Sequence, residues 1–258
     1  MPQSPLRIRM WPGAAWLLAT LVTATLSTTA HAAEVKVAVA ANFTEAAKEI
    51  GVLFEKETGH KAVFSFGSTG QLYTQITQQA PFEVFLAADQ ARPEKAVKEG
   101  FAVPDSRFTY ATGKIVLFSK TPDLVKDEAT LKDGKFNKIA IANPKTAPYG
   151  AAAVEAMKAL GVYDALSDKI VQGNNIAQTY QFVDSDNAEL GFVALSQVAA
   201  KKDGSRWIVP EDLYATIAQD AVLLKSGEKN GAAVAFVDFL KGPKALEVKE
   251  KFGYGAGK

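Results

Sequence analysis

VKVAVAANFTEAAKEIGVLFEKETG, residues 35–59, decides the fold. Its first six residues form a short valine-rich run with the length and β-branched content of a buried strand. The pattern then changes: Phe43, Ala46, Ala47, Ile50 and Phe54 fall at i, i+3, i+4, i+7 and i+11, with Glu and Lys between them, which is one apolar face of a helix. Gly59 is placed to end that helix, because a residue without Cβ takes up the left-handed C-terminal conformation without strain. A strand that runs straight into a helix is a β-α unit, and the unit recurs. Strands are expected at 62–66, 83–87, 138–142 and 190–194, and helices at 70–79, 92–99, 150–160, 176–183 and 232–252, the last broken at Gly242-Pro243. The class is α/β, with mainly parallel sheets flanked by helices.

Two longer apolar stretches, RFTYATGKIVLFS (107–119) and YATIAQDAVLLK (214–225), stand about one hundred residues apart. If both cross between lobes, the two ends of the chain build one lobe and its middle builds the other. As long strands of a single sheet they would fit equally well.

At the N-terminus, Arg7 and Arg9 precede an apolar run over 14–26, and Ala30 and Ala32 stand in A-x-A spacing, the pattern of a cleavable export signal covering residues 1–32. The run is too short and too rich in Thr and Ser for a membrane span. Without cysteine the chain has no disulfide framework, no thiolate metal site and no site for a lipid anchor, which suits a bacterial periplasm. Removing residues 1–32 leaves 29 − 2 = 27 basic residues against 28 acidic, a net charge of −1. So balanced a surface has no field with which to grip nucleic acid or an anionic membrane. His60 is the one histidine left, which leaves little scope for histidine catalysis or histidine-bound metal.

Four turns carry the interest: Ala40-Ala41-Asn42, Gly67-Ser68-Thr69-Gly70, Ala147-Pro148-Tyr149-Gly150 and Gly173-Asn174-Asn175-Ile176. Each follows strand-like sequence and opens a helix. A helix start leaves backbone N–H groups without intrahelical acceptors and adds partial positive charge, so each turn suits an anion. None of the four contains Lys, Arg, Asp, Glu or His. A cage of neutral donors with no acceptor favours a fully deprotonated oxyanion over a protonated one. The structural alternative stands beside each turn. Ser68 and Gln71 have capping-box spacing, Asn42, Asn174 and Asn175 have the chemistry of helix caps, and Pro148 suits a rigid first helical position.

Other constellations are weaker. The Gly67–Gln71 segment lacks the lysine of a phosphate-binding P-loop. Asp184, Asp186, Asn187 and Glu189 lack the spacing of an EF-hand and read as a solvated acidic turn. A hydrolase using Ser68 would need His60 as its base, yet no nucleophile elbow surrounds that serine.

Taken together, VAVAANFTEA (37–46), SFGSTGQLYTQI (65–76), APFEVFLAADQ (80–90), NPKTAPYGAAAVEAMKALG (143–161), LGFVALSQV (190–198) and FLKGPKALEVKEKFGY (239–254) resemble the periplasmic molybdate-binding proteins of ABC importers over nearly the whole chain beyond the signal. The resemblance implies a two-lobed type II periplasmic-binding-protein fold joined by two crossing segments, with lobe 1 over 33–112 and 221–258 and lobe 2 over 113–220. It implies a monomer that binds molybdate or tungstate, uses no cofactor, catalyses no reaction and serves an inner-membrane ABC permease. It places the oxyanion against Asn42 with Ala41, Thr69 with Ser68, Tyr149 through its backbone N–H, and Ile176 through its backbone N–H. These groups would touch the oxyanion's oxygens, not the metal. Two positions depart from the family pattern. Asn42 stands where one branch has a hydroxyl, which its side-chain amide can replace as a donor, and Ala194 stands where that branch has a ligand tyrosine.

Overall fold

The computed structural model describes residues 1–4 and 32–257. The body of the expected export signal, residues 5–31, lies outside them. In chain order the strands are β1 (Glu34–Ala40), β2 (Lys61–Gly67), β3 (Val84–Leu86), β4 (Phe108–Gly113), β5 (Ile115–Ser119), β6 (Ile139–Ala142), β7 (Ile170–Gly173), β8 (Leu190–Ala194), β9 (Ser205–Ile208), β10 (Ile217–Leu223) and β11 (Gly255–Ala256). The helices are α1 (Thr44–Thr58), α2 (Thr69–Thr77), α3 (Ala91–Lys98), α4 (Ala129–Asp133), α5 (Pro148–Ala159), α6 (Tyr163–Leu166), α7 (Ile176–Asp184), α8 (Leu195–Val198), α9 (Gly231–Lys241) and α10 (Pro243–Lys251). They form two lobes, one around a six-stranded sheet of order β11-β4-β10-β3-β1-β2 and one around a five-stranded sheet of order β7-β6-β8-β5-β9.

The chain passes from the first sheet to the second between Gly113 and Ile115 and returns over residues 209–216. The first long apolar stretch therefore is a crossing segment, divided at Lys114. The second begins within the return, at Tyr214, and continues as β10. β10 pairs with β3 and β4 from Ile217 onward, so residues 217–220, assigned to lobe 2 on sequence, belong to the first sheet.

Both sheets are mixed, where mainly parallel sheets were expected. β1 is parallel to β2 and β3, and β6 is parallel to β7 and β8, as β-α units require. β4 and β10 are antiparallel because one carries the chain out of the lobe and the other brings it back. β5 brings the chain into lobe 2 and is antiparallel to β9, which leads it out, and to β8.

Strand alternation gives each sheet two apolar faces. Val35, Val37 and Val39 pack with Phe54 and Phe236 on one side of the first sheet, while Ala38 meets Leu72 and Phe85 on the other. In the second sheet Ile115 and Leu117 join Ile139 and Met157, while Val116 and Phe118 join Val193 and Val198. Gly59 ends α1 as expected, at φ 72° with its N–H donating to the Glu55 carbonyl at 2.9 Å. β1, β2, β3, β6 and β7 all end at the cleft between the lobes, the edge at which open α/β sheets gather ligands.

Candidate functional site

All four turns meet at that cleft. A narrow pocket, partly open to solvent, is walled by Ala40, Ala41 and Asn42 after β1, Gly67, Ser68 and Thr69 after β2, and Ala88 after β3. Lobe 2 supplies Ala147, Pro148 and Tyr149 at the start of α5, with Asn175 and Ile176 at the start of α7. The structure thus brings Ala41, Asn42, Ser68, Thr69, Tyr149 and Ile176 together around one space. No lining residue carries a charge.

Each wall presents a helix start. Residues 41–43 form a 3-10 turn that feeds α1, with Ala40 at its cap position. Thr69 is the first residue of α2, Pro148 and Tyr149 are the first two of α5, and Ile176 is the first of α7. Pro148 has no N–H to offer and the Gly150 N–H donates to the Ala147 carbonyl at 2.9 Å, which leaves the Tyr149 N–H as the donor of that turn. A Cβ on Gly150 would stand 2.1 Å from the Ala142 carbonyl oxygen, so only glycine lets α5 begin this close to β6.

Ser68 settles between its two readings. It occupies the cap position of α2, yet its hydroxyl makes no capping bond, and the expected box with Gln71 is not formed. Its Oγ is buried and has no hydrogen-bond partner. A buried hydroxyl left unpaired costs about 1–3 kcal/mol and calls for an explanation. Lacking any partner, it is also not bonded to His60, whose Nδ1 instead accepts the Ala33 N–H at 3.3 Å. Thr69 is better placed: its Oγ1 accepts the Ala88 N–H at 3.0 Å, which orients the hydroxyl and leaves its proton to be donated elsewhere.

Asn42 departs from expectation in a different way. It is not a helix cap, and its side-chain Nδ2 is already engaged, donating to Gln219 Oε1 at 2.7 Å, Tyr254 Oη at 3.1 Å and Tyr149 Oη at 3.3 Å. The amide therefore does not replace the family's hydroxyl. What Asn42 presents to the pocket is its place at the start of a helical turn. Sequence reading missed Gln219, Tyr254 and Tyr110, which complete this buried cluster. They come from distant strands and the C-terminus, and no local pattern marks them.

In the fourth turn Asn175 is a true cap, since its side chain accepts the Gln178 N–H at 3.0 Å. The Asn174 N–H is likewise taken, by Gln178 Oε1 at 2.6 Å. The free donors at this turn are the first N–H groups of α7, that of Ile176 foremost. Ala194 is buried at the end of β8 opposite Ile115, with its N–H on Gln197 Oε1, and is not part of the pocket wall. The acidic turn beyond α7 is structural: Glu189 accepts from Asn137 and Lys138, Asp184 from Tyr180 and Lys201, and Asp186 from Lys120.

Beside the bonds that Asn42 Nδ2 and Gln219 Nε2 donate to Tyr149 Oη at 3.3 and 3.4 Å, three more tie the lobes around the pocket. The Gly70 N–H reaches the Thr146 carbonyl at 2.9 Å, Arg92 Nη2 the Lys145 carbonyl at 3.1 Å, and Ser196 Oγ the Asn42 carbonyl at 2.8 Å. The Arg92 charge is met by Asp89, so it does not act on the pocket as a free cation. Burial pushes the hydroxyls of Tyr110, Tyr149 and Tyr254 well above the ordinary tyrosine range, so the cluster behind the pocket is uncharged as well. The arrangement can bind a small anion through peptide N–H and hydroxyl donors. It offers no base and no nucleophile with an activating partner.

Comparison with known proteins agrees with this geometry. Residues 35–255 match the family model of the bacterial extracellular solute-binding proteins. The molybdate-binding protein ModA of Rhodobacter capsulatus is 58% identical over 229 residues, 89% of this chain and 91% of that protein. ModA of Azotobacter vinelandii is 58% identical over 234 residues, covering 89% and 93% of the two chains. Among solved structures, the periplasmic molybdate-binding protein of Azotobacter vinelandii superposes with a TM-score of 0.84 at 42% identity, covering 87% of this chain and all of that one.

Proposed function

The chain belongs to the bacterial extracellular solute-binding proteins, and on that premise we propose that it captures molybdate, with tungstate alongside, in the cleft between its lobes and delivers it to an ABC permease. It is a transport component, not an enzyme. It works in the periplasm as an exported monomer and needs no cofactor.

One observation carries the reading: four helix starts, the orphaned hydroxyl of Ser68 and the unspent proton of Thr69 face a single pocket that holds no charge. A tetrahedral dianion accepts hydrogen bonds at every oxygen. Six to eight such bonds at about 1.5–3 kcal/mol each would offset a desolvation cost of several kcal/mol, leaving an affinity of about −8 to −12 kcal/mol, micromolar to nanomolar. The donors in this account are the N–H groups of Asn42, Thr69, Tyr149 and Ile176, those of Ala41 and Ser68 beside them, and the two hydroxyls. Because the cage supplies donors and no acceptor, a protonated anion would leave its own proton unpaired, and the dianion is selected.

Titration calorimetry with molybdate, tungstate, sulfate and phosphate at matched ionic strength tests the proposal. Tight binding of molybdate and tungstate with sulfate at least a hundredfold weaker is expected. Sulfate binding as tightly as molybdate would assign the pocket to a different cargo. Native mass spectrometry of protein from molybdate-supplemented cells should show the corresponding added mass.

A further inference from the structure

Asn42 is held from an unusual number of directions. Tyr254, three residues beyond the end of α10, donates its hydroxyl to the Asn42 carbonyl at 2.7 Å and accepts from Asn42 Nδ2 at 3.1 Å, so one side chain grips both the backbone and the side chain of the first turn. Its ring is fixed in turn, edge-on to Phe43 with centroids 5.1 Å apart. From the opposite lobe, Ser196 in the first turn of α8 donates to the same carbonyl at 2.8 Å. Gln219 on β10 takes the remaining proton of the Asn42 amide at 2.7 Å. All of these groups except Ser196 are buried, and Tyr254 is 5% exposed.

These contacts fix the torsions of Asn42 and therefore the direction of the N–H groups beside it. A peptide donor is useful to a bound anion only if its direction is set before the anion arrives. We infer that Tyr254 and Ser196 are positioning residues of the oxyanion site, clamping the Asn42 peptide from the two lobes without touching the ligand. Tyr254 sets the turn while the cleft is open, because it belongs to the same lobe. Ser196 reaches the carbonyl only when the lobes meet, so its bond adds to the closed state alone and slows release. The inference rests on the function proposed above.

Affinity, release rate and melting temperature should be measured for the wild type, Tyr254→Phe, Ser196→Ala and Ser119→Ala, with molybdate as the probe. Ser119→Ala is the matched control: its hydroxyl is buried in lobe 2, accepts the Thr121 N–H and donates to the Glu189 carbonyl, far from the pocket wall. Tyr254→Phe keeps the ring against Phe43 and removes only the clamp. About tenfold weaker binding is expected for Tyr254→Phe and about threefold for Ser196→Ala, the latter entirely through faster release. Ser119→Ala should stay within twofold of wild type despite a similar or larger drop in melting temperature. Wild-type affinity in both clamp variants overturns the inference, as does an equal loss in the Ser119→Ala control, since the effect would then follow stability. If Tyr254→Phe does not fold, Ser196→Ala on the half-buried edge decides alone, and unchanged release from it refutes the clamp. A wild type that binds no molybdate overturns the proposed function itself, an outcome separate from wild-type binding with silent variants.

Discussion

Removing the Ser68 hydroxyl should move stability and affinity in opposite directions. With the lobes in contact, Ser68 Oγ is buried at 3% residue exposure and bonds to no protein group, so it carries a desolvation cost that only a ligand returns. Ser68→Ala relieves part of that cost, and with about 1 kcal/mol regained the melting temperature of a domain this size should rise by about 2–4 °C. Once a dianion occupies the pocket, the same hydroxyl donates to charge, a bond worth about 1.5–3 kcal/mol. Its loss should weaken molybdate binding by about 10- to 150-fold, at about 1.4 kcal/mol per factor of ten. A helix cap would behave differently, since replacing a capping serine by alanine costs about 1 kcal/mol of stability and has no reason to change affinity. Thermal unfolding of the free protein, paired with calorimetric titration, reads both quantities. A variant that melts lower than wild type and binds as tightly would refute the reasoning and return Ser68 to the cap.

Thr69→Ala should weaken binding by about 2–3 kcal/mol and also destabilise the free protein, because it strands the Ala88 N–H; Thr69→Ser, which keeps the hydroxyl, should restore most of both in the same titration and melt. Gly150→Ala drives a Cβ to 2.1 Å from the Ala142 carbonyl, and displacing the start of α5 should cost about 3 kcal/mol or more in denaturant unfolding and abolish tight binding. The pH response follows from the raised hydroxyls of Tyr110, Tyr149 and Tyr254. The native state keeps these protons where the unfolded chain begins to release them, about pH 10, so their contribution is complete below that pH and is lost as pH rises beyond it. Lys249, held below its ordinary range by burial, acts in the opposite sense but is outnumbered. Chemical denaturation from pH 7 to 11 should show a plateau and then a fall above about pH 10, and a midpoint that rises there would contradict the assignment.

The four anion-type turns could be found in the sequence because each depends on local rules: a strand period, a change to helical period, and small uncharged residues at the change. The same rules placed Gly59 at the end of α1 and Pro148 at the start of α5, and both stand there. Local rules could not say whether Ser68 caps its helix, because the bond it would make competes with burial against the other lobe. They left Asn42 as either a helix cap or a ligand donor, whereas its amide protons are taken by Gln219 and Tyr254, 177 and 212 residues away. They made both sheets mainly parallel, because the direction in which a strand re-enters a lobe depends on where the chain left it.

By itself, then, the sequence determined the β-α succession, the neutral character of the turns and the family to which they point, since all three are written in residue type and spacing. Tertiary structure alone decided that the turns share one pocket, which hydroxyls remain unspent there, and which distant side chains hold the first turn in place. Those are properties of distance between segments, and hydrogen-bond partners are chosen by distance after the chain has folded.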